Sequence, residues 1–309
     1  MTGGYDYTMN SVKKMNYEKQ NFIGERAQYY STDSNYNSCE FYDGESPLKH
    51  SKNVKAENCT FSYKYPFWIS ENINVKDSTF NELGKSGLWY TKNFSIENTV
   101  IKAPKEFRRS DGIFLNNVRF ENAAETMWMC RNIKLDNVYA KGDYFAMNSS
   151  EFYADNFEID GNYLLDGGKN IEIHNSKIIS KDAFWNCENV VVYDSEIIGE
   201  YLGWHSKNVK FVNCKIESDQ GLCYIDGLTL ENCTLINTPL AFEYSTGIDA
   251  QINGKIESVK NPCGGKIKCD GIGTLILNPK RCDVNATIID CKEIEKTFSE
   301  DPNPNENCF

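Results

Sequence analysis

The 309-residue sequence lacks most features by which a function class is recognised. It has 3 histidines, 8 prolines and no run of about eighteen apolar residues that could cross a membrane. Residues 1–14 contain no apolar stretch typical of a secretory signal, so we expect a cytoplasmic protein. The net charge of −11 argues against nucleic acid as a partner, because phosphate binding needs a basic surface. Neither a membrane nor a nucleic acid is therefore an expected partner.

The 12 cysteines lack the spacing of a metal site. No two of them form a CxxC pair, and the gaps between the last five match no zinc pattern. Without a secretory signal, disulfide bonds are not expected, and most of the thiols are interpreted as small buried side chains. We expect no metal site and no resident cofactor.

One pattern recurs along the chain: Asn, apolar, any residue, apolar, any residue, Asn or Asp. We call the first residue of each copy the index residue. Most copies are nineteen residues apart, with one interval of 24 followed by one of 15. The index residues are Asn53, Asn72, Asn93, Asn117, Asn132, Glu151, Asn170, Asn189, Asn208 and Gly227.

The columns of this repeat predict its structure. The residues one and three positions after the index are apolar in every copy, which indicates a strand with one buried face. The residue five positions after the index is always Asn or Asp, which is typical of a tight turn. The sequence therefore predicts an all-β fold, a single-stranded parallel β-helix of about 10–12 coils with a period near 19 residues. The general rule for parallel crossovers predicts a right-handed helix.

The regularity of the repeat also suggests boundaries. Residues 1–32 precede the first good coil and are predicted to form an N-terminal cap. Regular coils are predicted over 33–245 and irregular coils over 246–298, where the nineteen-residue period is lost but alternation remains. The Pro- and Asn-rich segment 299–309 is predicted to be a mobile tail.

Several short strings within these coils resemble a known family. They are FIGERA (22–27), DGESPLK (43–49), APKEFR (103–108), KGDYF (141–145), KDAFWN (181–186), GEYLGW (199–204), QGLCYI (220–225) and AFEYS (241–245). Together they resemble an uncharacterised bacterial family of pectate-lyase-like, single-stranded right-handed β-helix proteins, over roughly residues 20–275. The resemblance implies the fold but no particular activity. Many members of that superfamily bind or cut polysaccharides, which is an analogy of fold alone.

All 5 tryptophans occupy one column, four residues before an index residue. They are Trp68, Trp89, Trp128, Trp185 and Trp204. One interpretation is an aromatic ladder on a lateral groove that stacks on sugar rings. The other is a buried stack that fills one corner of the core. Alternation favours the buried interpretation, because the next column is variable and partly polar.

A charged column eight residues before the index suggests where chemistry could occur. We predict a site in which acids from successive coils lie near a histidine and two tryptophans. The candidate catalytic residues are Asp182, Glu200, His205, Asp219 and Lys181, and the candidate substrate-binding residues are Trp185, Trp204, Tyr201 and Asn186. A charged turn edge exposed to solvent explains the same column without any function.

Two chemistries fit these residues. Glycoside hydrolysis needs two carboxyl groups, which neighbouring coils could supply. A polysaccharide lyase would use carboxylate-bound Ca²⁺, with Lys181 as the base, and would be the one case that needs a cofactor. The strings NTD, GHG and RIK of polygalacturonases are missing, which argues against simple hydrolysis of pectin.

Two functions from different classes remain open. The first is carbohydrate binding or polysaccharide processing on a lateral face, with an oligosaccharide as partner. The second is a non-catalytic structural or protein-interaction β-helix, favoured by the missing motifs. Asp166, in LLDGGKN, lies in the tryptophan column, and its two glycines favour a tight corner over a site.

Overall fold

The computed structural model describes residues 15–300, and that range is built of strands without a helix. The described residues accordingly include no helix long and apolar enough to span a membrane. The strands are β1 (Met15–Glu18), β2 (Asn21–Ile23), β3 (Ser34–Asn37), β4 (Glu40–Tyr42), β5 (Lys52–Glu57), β6 (Thr60–Phe61), β7 (Glu71–Lys76), β8 (Thr79–Phe80), β9 (Lys92–Ile101), β10 (Asp111–Phe120), β11 (Arg131–Lys141), β12 (Ser150–Asp160), β13 (Lys169–His174), β14 (Lys177–Ile179), β15 (Glu188–Tyr193), β16 (Glu196–Glu200), β17 (Lys207–Val212), β18 (Lys215–Asp219), β19 (Asp226–Ile236), β20 (Ile248–Ile252), β21 (Lys255–Lys260), β22 (Gly265–Lys268), β23 (Gly271–Ile276), β24 (Thr287–Asp290) and β25 (Glu293–Phe298).

Each coil contributes two strand segments, and each segment pairs in parallel with its equivalents in the coils before and after. In β9 to β12 and in β19 the two segments form one continuous strand. The predicted fold class is confirmed: the chain is an all-β parallel solenoid with a period near 19 residues. It has about 15 turns, more than the predicted 10–12. The excess arises because β1 and the strands after residue 246 pair in the same ladder although they lack the Asn pattern.

The predicted register is wrong in one coil. Ile113 pairs with Phe94, nineteen residues before it, and with Ile133, twenty residues after it. The index residue of this coil is therefore Gly112, and Asn117 lies in the second Asn column. The intervals of 24 and 15 do not exist. Gly112 has a φ of 75°, so glycine replaces the usual Asn in the left-handed conformation that the index position requires.

Asn side chains form hydrogen-bonded columns along the solenoid, as the repeat predicted for its turns. Asn72 Nδ2 donates to Asn53 Oδ1 at 3.0 Å, and Asn53 Nδ2 donates to Asp33 Oδ1 at 2.8 Å. In the second column Asn117 Nδ2 donates to Asn98 Oδ1 at 2.8 Å. Both columns combine positive φ with a donor and an acceptor in one short side chain, which explains why Asn dominates them.

The core is a set of stacked apolar columns. Phe41, Phe61 and Phe80 stack in successive coils with ring centroids 5.2 and 4.7 Å apart, and all three are buried. Val192 and Phe211 are fully buried strand neighbours in a second apolar column. Parallel pairing at about 4.8 Å per coil lets identical side chains pack face to face along the axis.

The ends of the chain differ from the regular coils. Strand β1, within the predicted cap, pairs in register with β3, so at least residues 15–18 continue the ladder. The role of residues 1–32 as a cap stays a prediction, and residues 1–14 lie outside the described residues. In the irregular part, β21, β23 and β25 form a separate three-stranded sheet. Most of the predicted tail, 301–309, also lies outside the described range.

Candidate functional site

The turn before each first strand segment holds most of the predicted site residues. We call this turn the corner; in one coil it comprises residues 181–186. Asp182, Phe184 and Asn186 all have positive φ, between 53° and 59°. This alternation of left-handed residues breaks the two-residue period of a strand. Sequence parity therefore could not decide which way the corner side chains point.

The tryptophans lie across the corner. Trp68, Trp89, Trp128 and Trp185 are half-buried, Trp204 is buried at 5% exposed, and none of the five is part of the contiguous apolar cluster. Three indoles reach the next coil: Trp89 Nε1 donates to Lys105 O, Trp128 Nε1 to Tyr144 O and Trp204 Nε1 to Gln220 O, at 2.7–2.8 Å. A buried stack is therefore not observed for the four half-buried indoles, whereas Trp204 is buried.

Aromatic rings are in contact over three consecutive coils at this corner. Trp185 and Trp204 have ring centroids 5.8 Å apart, and Trp204 lies 5.1 Å from Tyr224. Exposed His205 lies 5.8 Å from Trp185 and 5.1 Å from Tyr224. Tyr201 contacts Trp204 at 4.9 Å. We call these five residues the aromatic row.

The predicted acids and lysine form a second row beside the first. Lys181 Nζ lies 3.1 Å from Glu200 Oε2, and Glu200 is the strand neighbour of exposed Asp219. Lys181 Nζ is also 5.2 Å from the ring centroid of Tyr201, which joins the two rows. The hydrogen bond and charge of Glu200 raise the pKa of Lys181. A lysine acting as a general base needs the opposite shift.

A groove of about 540 Å³ runs along the second row. Its lining includes Gly142, Gly161 and Gly199, with Lys181 and Glu200 among the flanking side chains. A Cβ at Gly161 would lie 2.1 Å from the Gly142 carbonyl oxygen, and one at Gly199 would lie 2.0 Å from that of Ser180. Only glycine fits where the backbones approach so closely, and the lack of side chains there keeps the groove open.

Asp182 lies between the two rows and is 3% exposed. Its Oδ1 is buried and has no hydrogen-bond partner. Desolvation raises the pKa of Asp182, the Lys181 charge opposes the shift, and the charges of Glu200 and Asp166 add to it. A buried carboxylate oxygen without a donor is costly, so this residue needs an explanation.

Asp166 is the residue that the sequence analysis set aside. It is half-buried, desolvation raises its pKa, and its charge acts on Asp182. It holds the tryptophan position of its coil, immediately before Trp185 in the column. A tryptophan in this column can reach a residue in the following coil, seven positions before the index residue of that coil. Trp128 reaches Tyr144 in this way, and Trp204 reaches Gln220. For Asp166 that residue is Asp182. We call Asp166 and Asp182 the acidic pair.

The same two positions hold opposite charges nearer the N-terminus. Arg108 is in the tryptophan column, and its nearer guanidinium nitrogen lies 3.6 Å from Glu125 Oε2 in the next coil. Its guanidinium carbon lies 4.4 Å from the ring centroid of Trp89 and 4.6 Å from that of Trp128. We call Arg108 and Glu125 the ion pair of the column. Sequence analysis missed Arg108 because the register error displaced it from the column.

The structure thus joins some predicted site residues and separates others. Lys181, Glu200 and Asp219 form one row; Trp185, Trp204, Tyr201 and His205 form the other. His205 contacts rings, and none of its described contacts is with the acids. Asn186 is exposed beside Trp185. The catalytic roles of these residues stay predictions. In residues 15–300 no three His, Cys, Asp or Glu side chains are grouped to hold a metal ion.

Comparison with solved structures gives distant likenesses. A double mutant of the tailspike protein of E. coli bacteriophage HK620 is 9% identical over 89% of this chain and 67% of its own, with a TM-score of 0.47. A periplasmic alginate epimerase, in a double-mutant form, is 10% identical over 85% and 76%, with a TM-score of 0.33. The A-module of an Azotobacter vinelandii mannuronan C-5 epimerase is 9% identical over 93% and 88%, with a TM-score of 0.30.

Each of these scores lies below 0.5, so the three proteins say nothing about the activity of this chain. None of the curated proteins matches the sequence. A family model does match, over residues 15–290, and its description is "protein of unknown function (DUF3737)". The expectation of an uncharacterised family is confirmed: the chain belongs to the DUF3737 family.

Proposed function

We propose that the chain binds an oligosaccharide along the corner, parallel to the solenoid axis. The observation that carries the proposal is the aromatic row, in which Trp185, Trp204 and Tyr224 bring rings into contact over three consecutive coils. Coils repeat every 4.7–4.9 Å or so, close to the length of one sugar in an extended glycan. Each coil can therefore offer one ring to one sugar.

Polar groups beside the rings suit the hydroxyl groups of a sugar. Asn186 is exposed next to Trp185, His205 is exposed within the row, and the Lys181–Glu200 ion pair lines the groove. Aromatic faces with a few convergent polar groups are the usual composition of a small-ligand site. The proposal concerns binding. Hydrolase chemistry, and a lyase reaction with Ca²⁺, stay hypotheses about the same face.

The test is a titration of neutral and uronic tetrasaccharides, followed by tryptophan fluorescence and by melting temperature, with and without Ca²⁺. Ligand at 100 times its Kd should add about 2.7 kcal/mol of stability. Trp185→Ala should weaken binding roughly fivefold, because it removes one stacking ring. Phe114→Ala is the matched control, since Phe114 is an exposed ring on the outward face of β10. Binding that requires Ca²⁺ would favour the lyase hypothesis.

If no sugar shifts the melting temperature or the fluorescence, the proposal fails. The non-catalytic structural or interaction function would then be the better account of this face. Equal weakening by Trp185→Ala and Phe114→Ala would also contradict the proposal, because binding would not depend on the corner.

A further inference from the structure

Among residues 15–300, no lysine, arginine or histidine forms an ion pair with Asp166 or Asp182. In the described part of the chain, Lys181 is the basic group whose charge acts on Asp182, and its Nζ is paired with Glu200 Oε2 at 3.1 Å. Asp182 Oδ1, buried and without a donor, is therefore left uncompensated. At the equivalent positions Glu125 has two cations, Lys105 Nζ at 2.9 Å and the Arg108 guanidinium at 3.6 Å. The comparison within one chain shows what the acidic pair lacks.

The neighbours of the acidic pair favour an organic cation. Asp166 follows Met147 and precedes Trp185 in the tryptophan column, and Asp182 lies between Tyr163 and Tyr201 in its own. The charge of Asp182 is the main cause of the raised pKa of Tyr163, its neighbour in that column. Aromatic rings with carboxylates bind ammonium groups through both cation–π attraction and charge. A metal ion would need more ligands than this pair provides.

In the column that follows the tryptophan column, the residues beside the pair carry no aromatic rings. Asn148, Gly167 and Asn186 occupy the next column in three successive coils, where other coils carry His205, Tyr224 or Tyr244. The aromatic surface is therefore interrupted at the coil of Asp166 and continues from Trp185 onward. A ligand on the aromatic row that extends toward the N-terminus reaches the acidic pair next.

We propose that Asp166 and Asp182 bind a protonated amino group of the oligosaccharide, so that the preferred ligand contains an unacetylated amino sugar. This inference rests on the proposed function and names the ligand class of that site. The amino group takes the place that the Arg108 guanidinium has beside Glu125. The flanking rings of Trp185 and Tyr163 would face the cation.

The experiment compares two probes of equal length, a β-1,4-linked glucosamine tetrasaccharide and its fully N-acetylated form. Binding is measured at about pH 6, where the amines are charged, and at about 150 mM salt to screen the overall charge of −11. The free amine should bind at least about tenfold more tightly than the acetylated probe. Asp166→Asn and Asp182→Asn should each reduce this ratio toward one without weakening the acetylated probe.

Asp194→Asn is the control for net charge. Asp194 accepts a hydrogen bond from Asn213 in the second Asn column, where Asn is the common residue, so the change removes one charge without disturbing the corner. It should leave the ratio unchanged. Equal affinities for the two probes, or a preference that survives Asp182→Asn, would overturn the inference while leaving the proposed function intact. Failure of both probes to bind would overturn both.

Discussion

The ion pair of Arg108 and Glu125 and the acidic pair of Asp166 and Asp182 occupy the same two positions in different coils. In the first, the guanidinium lies between two indoles and near a carboxylate. In the second, both acids are partly removed from water, the charge of Asp166 acts on Asp182, and one carboxylate oxygen of Asp182 has no partner. The backbone is equivalent at both places, so the difference is one of side-chain chemistry. A repeat can thus pair opposite charges at two positions in one coil and place like charges at the same positions in another.

Reversing the charge of Arg108 should have the largest effect. Arg108→Asp removes two cation–π contacts and places a carboxylate against Glu125, so we expect a loss of about 3 kcal/mol in the free energy of unfolding. Urea denaturation measures it. Arg109→Asp is the control, because Arg109 is exposed and its φ of 50° is tolerated by Asp. Similar losses in the free energy of unfolding for the two variants would show that the contacts of Arg108 do not stabilise the fold more than those of Arg109.

The reciprocal change should stabilise the protein. Asp166→Arg would place a guanidinium near Asp182 and beside Trp185, reproducing the arrangement of Arg108 with one indole instead of two. We expect a gain of about 1 kcal/mol and a higher melting temperature. The same variant should lose the preference for the free-amine probe, because the binding position is filled. A melting temperature below that of wild type would mean that the two positions are not equivalent.

The smallest expected effect is on the pH dependence of stability, to which the acidic pair should contribute. Raised pKa values at Asp166 and Asp182 mean that the folded state holds protons that the unfolded state has released. Their contribution is therefore complete at acid pH and is lost as pH rises from the ordinary carboxyl pKa through the raised values. The charges of Lys181 and Glu200 act on Asp182, and the charge of Asp182 acts on Tyr163.

The measurement is the difference in stability between wild type and Asp182→Asn across this pH range. We expect the variant to gain relative to wild type, by less than about 1 kcal/mol, as pH rises. The difference between the two proteins removes the contribution of Glu106, a fully buried carboxyl whose pKa is also raised by desolvation. A flat difference would show that Asp182 has an ordinary pKa.

The sequence predicts the strands well because each is specified by its own apolar and Asn residues. Val54, Ile73 and Phe94 follow their index residues at one fixed distance, and the structure pairs them as neighbours. The register failed at Gly112 because glycine supplies the left-handed turn without the Asn that marks it elsewhere. Because both Asn and Gly adopt the left-handed conformation, a search for Asn alone misses the positions that Gly occupies.

The corner was harder to predict for a different reason. The tryptophan column was found, but the direction of its side chains depends on alternating left-handed residues such as Asp182 and Phe184, which a period-two argument does not represent. Asp166 was interpreted as a turn residue because its role depends on Asp182, sixteen positions later and in the next coil. Contacts between coils become visible only when both coils have the correct register.

The Asn columns have a direction. Within the two columns every described Asn amide that bonds to another coil donates toward the coil before it, as Asn72 does to Asn53 and Asn53 does to Asp33. A carboxylate can accept but not donate, so an acid can only begin such a run, and Asp33, Asp77 and Asp194 each receive the first donor of one. Each run is therefore a line of aligned amide dipoles with a negative charge at its positive end. This is the arrangement by which an acid caps the N-terminus of a helix, achieved here by side chains alone.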